Sequence, residues 1–191
     1  MTRRDVIALI GVAAVWAVPA RAQQQARPVI GYLGSESPEL YASRLVAFRE
    51  GLAETSYVEG RDVTIDFRWA EGQYSRLPAL ATDLAGREVT VIVAPGGAEV
   101  ALAARSATAK IPIVFELGGD PVALGLVASL SRPGGNLTGV TSLSVEVSRK
   151  RLEFLSELFP AAKTFAVAVN PTSPTSGSQS KNLRAAADSL G

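Results

Sequence analysis

The chain has 191 residues, 47% of them hydrophobic, with 19 Lys and Arg against 18 Asp and Glu and a formal net charge of +1. That length is enough to bury a sizeable core as one or two domains. There is no cysteine and no histidine, so disulfides, thiolate metal sites, a cysteine nucleophile, a Ser-His-Asp triad and most zinc sites are excluded.

The N-terminus has the pattern of a secretory signal peptide, predicted over residues 1–22. Arg3 and Arg4 form a positive start, Val6 to Val18 is an uncharged, mostly apolar run, and Ala20-Arg21-Ala22 places small residues at the −3 and −1 positions of a cleavage site. A membrane anchor or buried helix is the alternative, although the run is short for a bilayer. The Arg pair also fits a twin-arginine signal, leaving that route and the Sec route open. No cysteine is present to carry a lipid, so a lipoprotein is not expected. Removing Arg3, Arg4, Arg21 and Asp5 leaves 16 basic and 17 acidic residues, a net of −1. With no basic patch, nucleic acid is not an expected partner.

Beyond that segment, short apolar runs alternate with helical ones. Pro28 to Leu33 reads as a buried strand and about Pro38 to Thr55 as a helix. Val63 to Trp69 alternates as a strand, and Leu77 to Leu84 is helical. Val89 to Val93 is β-branched throughout, predicting a parallel strand buried on both faces. Ala98 to Ala107 is an alanine-rich helix, Ile111 to Phe115 a strand and Val122 to Leu130 a helix. Ser131 to Asn136 is rich in turn residues, and the short run Leu137 to Val140 follows. A helix over Val145–Leu158, a strand over Thr164–Val169 and a helix from about Ser180 to a capping Gly191 complete the pattern.

Strands alternating with helices predict an α/β fold, a doubly wound parallel sheet with helices on both faces and right-handed crossovers. The turn-rich patch predicts a boundary near Val140: residues 23–140 form a first α/β lobe, and 141–191 a hinge crossing and the start of a second, incomplete lobe. A long loop within one sheet is the alternative.

In such sheets ligands sit beyond the carboxyl ends of the strands, so four strand-end loops are candidates: Gly34 to Pro38, Ala94 to Ala98, Leu117 to Pro121 and Asn170 to Pro174. A helix N-terminus with open amides accepts a carboxylate or phosphate. Each loop also has a structural reading, with Ser37-Pro38 and Asp120-Pro121 as N-cap and N1 pairs. Asp120 thus has three readings: helix cap, catalytic carboxylate, or hook for a ligand amine. Glu36, Glu116 and Asp120 leave carboxylate-only catalysis open in principle. No G-x-G-x-x-G or P-loop fingerprint is present. Tyr32 and Trp69 read as core or rim.

The run GGDPVALGLVASLSRPGGNLTGVTSLS resembles bacterial ABC-transporter substrate-binding proteins of the group that includes tryptophan-binding members. So do RRDVIALIG at the start, LYASRLVAFREGLAETSYVEGRDVTIDFRWAEGQYSRLPALATDL, and NPTSP near the end. The resemblance implies a type I periplasmic-binding-protein fold, two lobes closing on a small solute, and no enzymatic activity, cofactor or metal. Its implied partners are a small-molecule solute and an ABC permease in the inner membrane, with the protein a periplasmic monomer. It also implies a second lobe longer than the one present here. The ligand contacts it implies are Ser35, Gly96, Gly97, Asp120, Thr141 and Ser142, faced by Asn170 from the second lobe. Thr175 departs from the asparagine often found near the NP turn in this group. The expected function is extracytoplasmic binding of an amino acid or related carboxylate for import. A ligand-sensing module for a membrane receptor is the alternative, with an exported enzyme behind it.

Overall fold

The computed structural model describes residues 27–144, 147–171, 173 and 175–190. The signal-peptide expectation for residues 1–22 lies outside the described residues. Along the chain come β1 (Val29–Gly34), α1 (Ala42–Glu54), β2 (Thr64–Trp69), a 3-10 turn (Tyr74–Arg76), α2 (Leu77–Gly86), β3 (Val91–Pro95), α3 (Ala98–Ala107), β4 (Ile113–Leu117), β5 (Leu137–Thr141), α4 (Ser148–Leu158) and α5 (Ser176–Leu190). The five strands form one sheet in the order β2-β1-β3-β4-β5, and every pairing is parallel. This is the α/β architecture expected from the sequence.

Side chains alternate across each strand, and the alternation divides the sheet into two faces. On one, Leu33, Ile92, Ala94, Ile113, Phe115 and Leu117 pack with Leu77, Ala81 and Leu84 of α2 and Val100, Ala101 and Ala104 of α3. The other carries Ile30, Tyr32 and Ile65, covered by Leu45, Phe48 and Leu52 of α1. Helices therefore lie on both faces, but α1 covers only the β1–β2 half of its side. Val114 and Val140 remain exposed at 39% and 66%. An apolar cleft of about 710 Å³ opens there beside Val91, Val93 and Phe48. β3 is accordingly buried on one face and half-buried on the other, where burial on both was expected.

The elements have local causes. α3 is alanine-rich and carries Glu99 in its first turn and Arg105 in its last, each matching the helix dipole. α2 has a proline in its first turn, where no amide partner is lost. Arg68 ties β2 to α2: its guanidinium bonds Asp66 and lies 2.6 Å from Asp83, which Arg87 also reaches at 3.1 Å. The Arg68 hydrogen bond holds the Asp83 carboxyl below the usual carboxylate range.

Two expected elements are absent. Val122–Leu130 is a series of turns instead of a helix, with Leu126 and Val127 returning their amides to the Pro121 carbonyl. Gly125 sits at φ +67°, a left-handed conformation that ends helical hydrogen bonding. Thr164–Val169 is not a strand: it has no ladder partner among the described residues, and an apolar run without a neighbouring strand has nowhere to place its amides. Phe165 to Ala168 instead border α4 and α5, which pack on each other. Helix starts also move. α1 begins at Ala42 without a side-chain cap, so Ser37 does not cap it, and α4 begins at Ser148.

An aromatic cluster fixes the sheet edge beside α1. Tyr32 lies 5.4 Å from both Phe67 and Trp69, and Phe67 stacks on Trp69 at 5.8 Å. Burial pushes the Tyr32 phenol up to about 12. Trp69 pairs in register with Gly34, and its ring lies across that residue. A Cβ at Gly34 would overlap ring atoms Cε3 and Cζ3 of Trp69. Gly34→Ala is therefore expected to lower stability by about 1–3 kcal/mol through overpacking, read as a lower denaturation midpoint in urea. An unchanged midpoint would show that the indole has room to move.

Candidate functional site

In the order β2-β1-β3-β4-β5 the chain leaves β1 and β3 toward opposite sides, opening a crevice at their carboxyl ends. A polar cleft of about 450 Å³ lies there, within the size range of small-molecule sites. Its walls come from the loops after β1 (Ser35, Glu36), β3 (Gly96, Gly97), β4 (Gly118) and β5 (Ser142, Ser144). Leu40, Tyr41 and Arg44, Tyr74, and the last two residues of β4, Glu116 and Leu117, complete it. The larger apolar cleft shares Arg44 and Glu116 but offers few polar groups to orient a solute, so the strand-end cleft is the candidate site.

The floor is tightly built. Ser35 and Tyr41 are almost wholly buried, and their hydroxyls are hydrogen-bonded at 3.0 Å. Gly96 passes directly over this pair at φ +101°, and a Cβ on it would overlap Tyr41 Oη and lie 2.8 Å from Ser35 Oγ. Glycine is required there for conformation and for space. Gly97, at φ +123°, is the N-cap of α3, which has no side-chain cap.

Charge around the cleft is mixed. Arg44 Nη1 is 3.9 Å from Glu116 Oε2, with both side chains about half exposed, and the guanidinium lies over the Tyr41 ring at 4.9 Å. Tyr74 donates its hydroxyl to Glu36 Oε1 at 3.4 Å. Burial, and then the Glu36 charge, raise the Tyr74 phenol above its ordinary value. Glu116 is the most connected member: its Oε2 accepts the Gly96 N–H at 3.2 Å, and its backbone carbonyl accepts the Gly97 N–H at 3.2 Å. Among the described residues, no group of three or more acidic side chains is arranged to hold a metal.

The cleft brings together Ser35, Gly96, Gly97 and Ser142 of the residues singled out in the sequence. Thr141 stands one step behind: its hydroxyl donates to the Gly119 carbonyl at 2.7 Å and accepts the Leu143 N–H at 3.1 Å. Asp120 is not on the cleft wall. Its Oδ1 accepts the Val122 N–H at 2.8 Å, a local cap on the turn that replaces the expected helix. Asn170 is exposed and also lies off this wall, its carbonyl accepting the Ser173 N–H at 3.1 Å. Tyr41, Arg44 and Ser144 escaped sequence reasoning. Tyr41, the N-cap of α1, and Arg44 in its first turn are three residues apart and lie on one side of the helix start, a spacing that could have flagged them.

Gly96→Ala is the sharpest test of this floor. It is expected to cost about 2–4 kcal/mol through strain and overlap, measured by chemical denaturation, whereas Asp120→Asn, which keeps an acceptor for Val122, should stay within about 0.5 kcal/mol of the parent protein. Equal losses from the two changes would contradict the assignment of the floor.

Residues 36–191 match the family described as ABC transporter substrate binding protein. A tyrosine-binding protein of Clostridioides difficile is 34% identical over 137 residues, which cover 71% of this chain and 39% of the relative. Among solved structures, a conserved domain protein of Vibrio cholerae superimposes with a TM-score of 0.77 at 30% identity, covering 86% of this chain and 54% of that one. The ABC domain of Streptococcus pneumoniae in complex with L-Trp gives 0.75 at 27% identity, covering 87% and 55%. The chain thus spans about half the length of these solved structures, and its fold is of the type I periplasmic-binding-protein kind. The chain belongs to the family of ABC transporter substrate-binding proteins.

Proposed function

We propose that this protein is the extracytoplasmic solute-binding component of an ABC import system and that its solute is an amino acid or a closely related small carboxylate. The observation that carries this reading is the polar cleft at the carboxyl ends of β1, β3, β4 and β5, lined by glycine loops, hydroxyls, one arginine and two carboxylates that suit a zwitterionic solute, in a chain of this family. Relatives described as tyrosine-binding and as complexed with L-Trp support amino acids as the solute class. In this reading the chain is exported by the signal over residues 1–22, works in the periplasm as a monomer, and delivers its solute to a permease in the inner membrane.

The roles follow from chemistry. The loop after β3 places the Gly96 amide at the mouth of α3, where partial positive charge favours a carboxylate, and Gly97 beside it leaves the approach free of a side chain. Arg44 adds a full positive charge beside them. Ser35 and Ser142 border the solute, and Thr141 and Asp120 hold the loop behind it. Residues 23–140 form the first lobe. Residues 141–191 begin the crossing to a second lobe, from which Asn170 faces the solute. Binding draws the lobes together by hinge motion, shifting the population toward the closed form that a permease recognises.

A thermal-shift screen of the protein against amino acids and small organic acids tests this directly. A ligand that binds only the folded state adds about 2.7 kcal/mol at a hundred times its dissociation constant, a readily measured rise in melting temperature. A saturable shift with one or a few amino acids, weakened by Arg44→Gln, is the expected outcome. No shift with any amino acid would remove this solute class.

A further inference from the structure

The Gly96 amide, which suits a ligand carboxylate, is already engaged by a carboxylate from the protein. Glu116 Oε2 accepts the Gly96 N–H at 3.2 Å and lies 3.9 Å from Arg44 Nη1. We propose that Glu116 is a tethered stand-in for the solute's carboxylate, occupying its position in the empty cleft and giving it up when the solute binds. This rests on the reading above, in which the solute is anchored at the Gly96 loop.

The geometry supports an exchange. Glu116 is the next-to-last residue of β4, whose ladder with β3 pairs it with Pro95, next to Gly96. Its backbone is fixed by the sheet and by the Gly97 N–H bond to its carbonyl, so only the side chain needs to move. That side chain is 47% exposed, and leaving the amide costs little because water replaces the lost bond. Two carboxylates cannot share one amide and one guanidinium without repulsion. Solute binding and the Glu116–Gly96 contact are therefore mutually exclusive. While the cleft is empty, the contact satisfies an amide at the mouth of α3 and partly neutralises Arg44. It also sets a threshold, because a solute carboxylate must displace an internal one, which discriminates against weakly held acids.

The test is isothermal titration of the parent protein and Glu116→Gln with L-tyrosine, its des-amino analogue hydroxyphenylpropionate, and tyrosinamide. Gln keeps the size but removes the charge, and the position is exposed, so the fold is preserved; matching melting temperatures check this. The expected result is that both carboxylates bind about tenfold more tightly to Glu116→Gln, while the affinity for tyrosinamide is unchanged. Unchanged carboxylate affinity in the variant would overturn the inference and leave the proposed function standing. Weaker binding of L-tyrosine and tyrosinamide, with the des-amino acid unaffected, would overturn it in favour of Glu116 as the partner of the ligand amine. No binding of either carboxylate to either protein would overturn the amino-acid reading for this probe and the inference with it.

Discussion

The direction in which the chain leaves β1 fixes where a solute can be met. From β1 it crosses by α1 to β2 on one side, then returns by α2 past β1 to β3. Because parallel crossovers are right-handed, α1 lies on one face and α2 on the other. The strand-end loops of β1 and β3 therefore part, and the crevice between them has no covering connection. Everything at the site depends on this reversal. It brings Ser35, Tyr41 and Gly96 within van der Waals reach and aims the start of α3 into the gap.

The two faces serve this crevice differently. The α2–α3 face is closed and almost wholly apolar, with Leu33, Ile92 and Ile113 fully buried, and forms a rigid base. The α1 face is built on aromatic contacts around Tyr32 and Trp69, and α1 carries Tyr41 and Arg44 from that packing to the rim. A hydroxyl pair lies under Gly96, and the half-exposed Glu116 carboxylate forms the edge beside it.

Much of this was legible in the sequence, for identifiable reasons. The alanine-rich stretch Ala98 to Ala107 is a helix with the expected bounds, whereas the β-branched run Val89 to Val93 gives a strand displaced by two residues, Val91–Pro95, because the pairing with β1 and β4 sets its ends. Strand-end glycines marked the loops that form the cleft. Elements whose fate depends on partners were not legible. Thr164–Val169 has strand composition but no neighbour to pair with among the described residues, and Val122–Leu130 is apolar enough for a helix yet is turned by Gly125. Asp120 drew attention between its glycines and proline, but its carboxylate serves a local amide. Glu116, one residue before the end of its strand, gave no local sign that it would reach the loop after β3. That contact is created only by the parallel register of β3 and β4.

The central claim is that a solute carboxylate is received by the loop after β3 at the switch point. Following the amide resonances of Gly96 and Gly97 by heteronuclear NMR during titration with L-tyrosine and L-tryptophan tests it most directly. Large, saturable shifts are expected at these two amides, with smaller ones at Ser35 and Ser142 and none at Val122 beside Asp120. Binding that leaves Gly96 and Gly97 unmoved while shifting residues of the apolar cleft, such as Val93 and Val114, would contradict it.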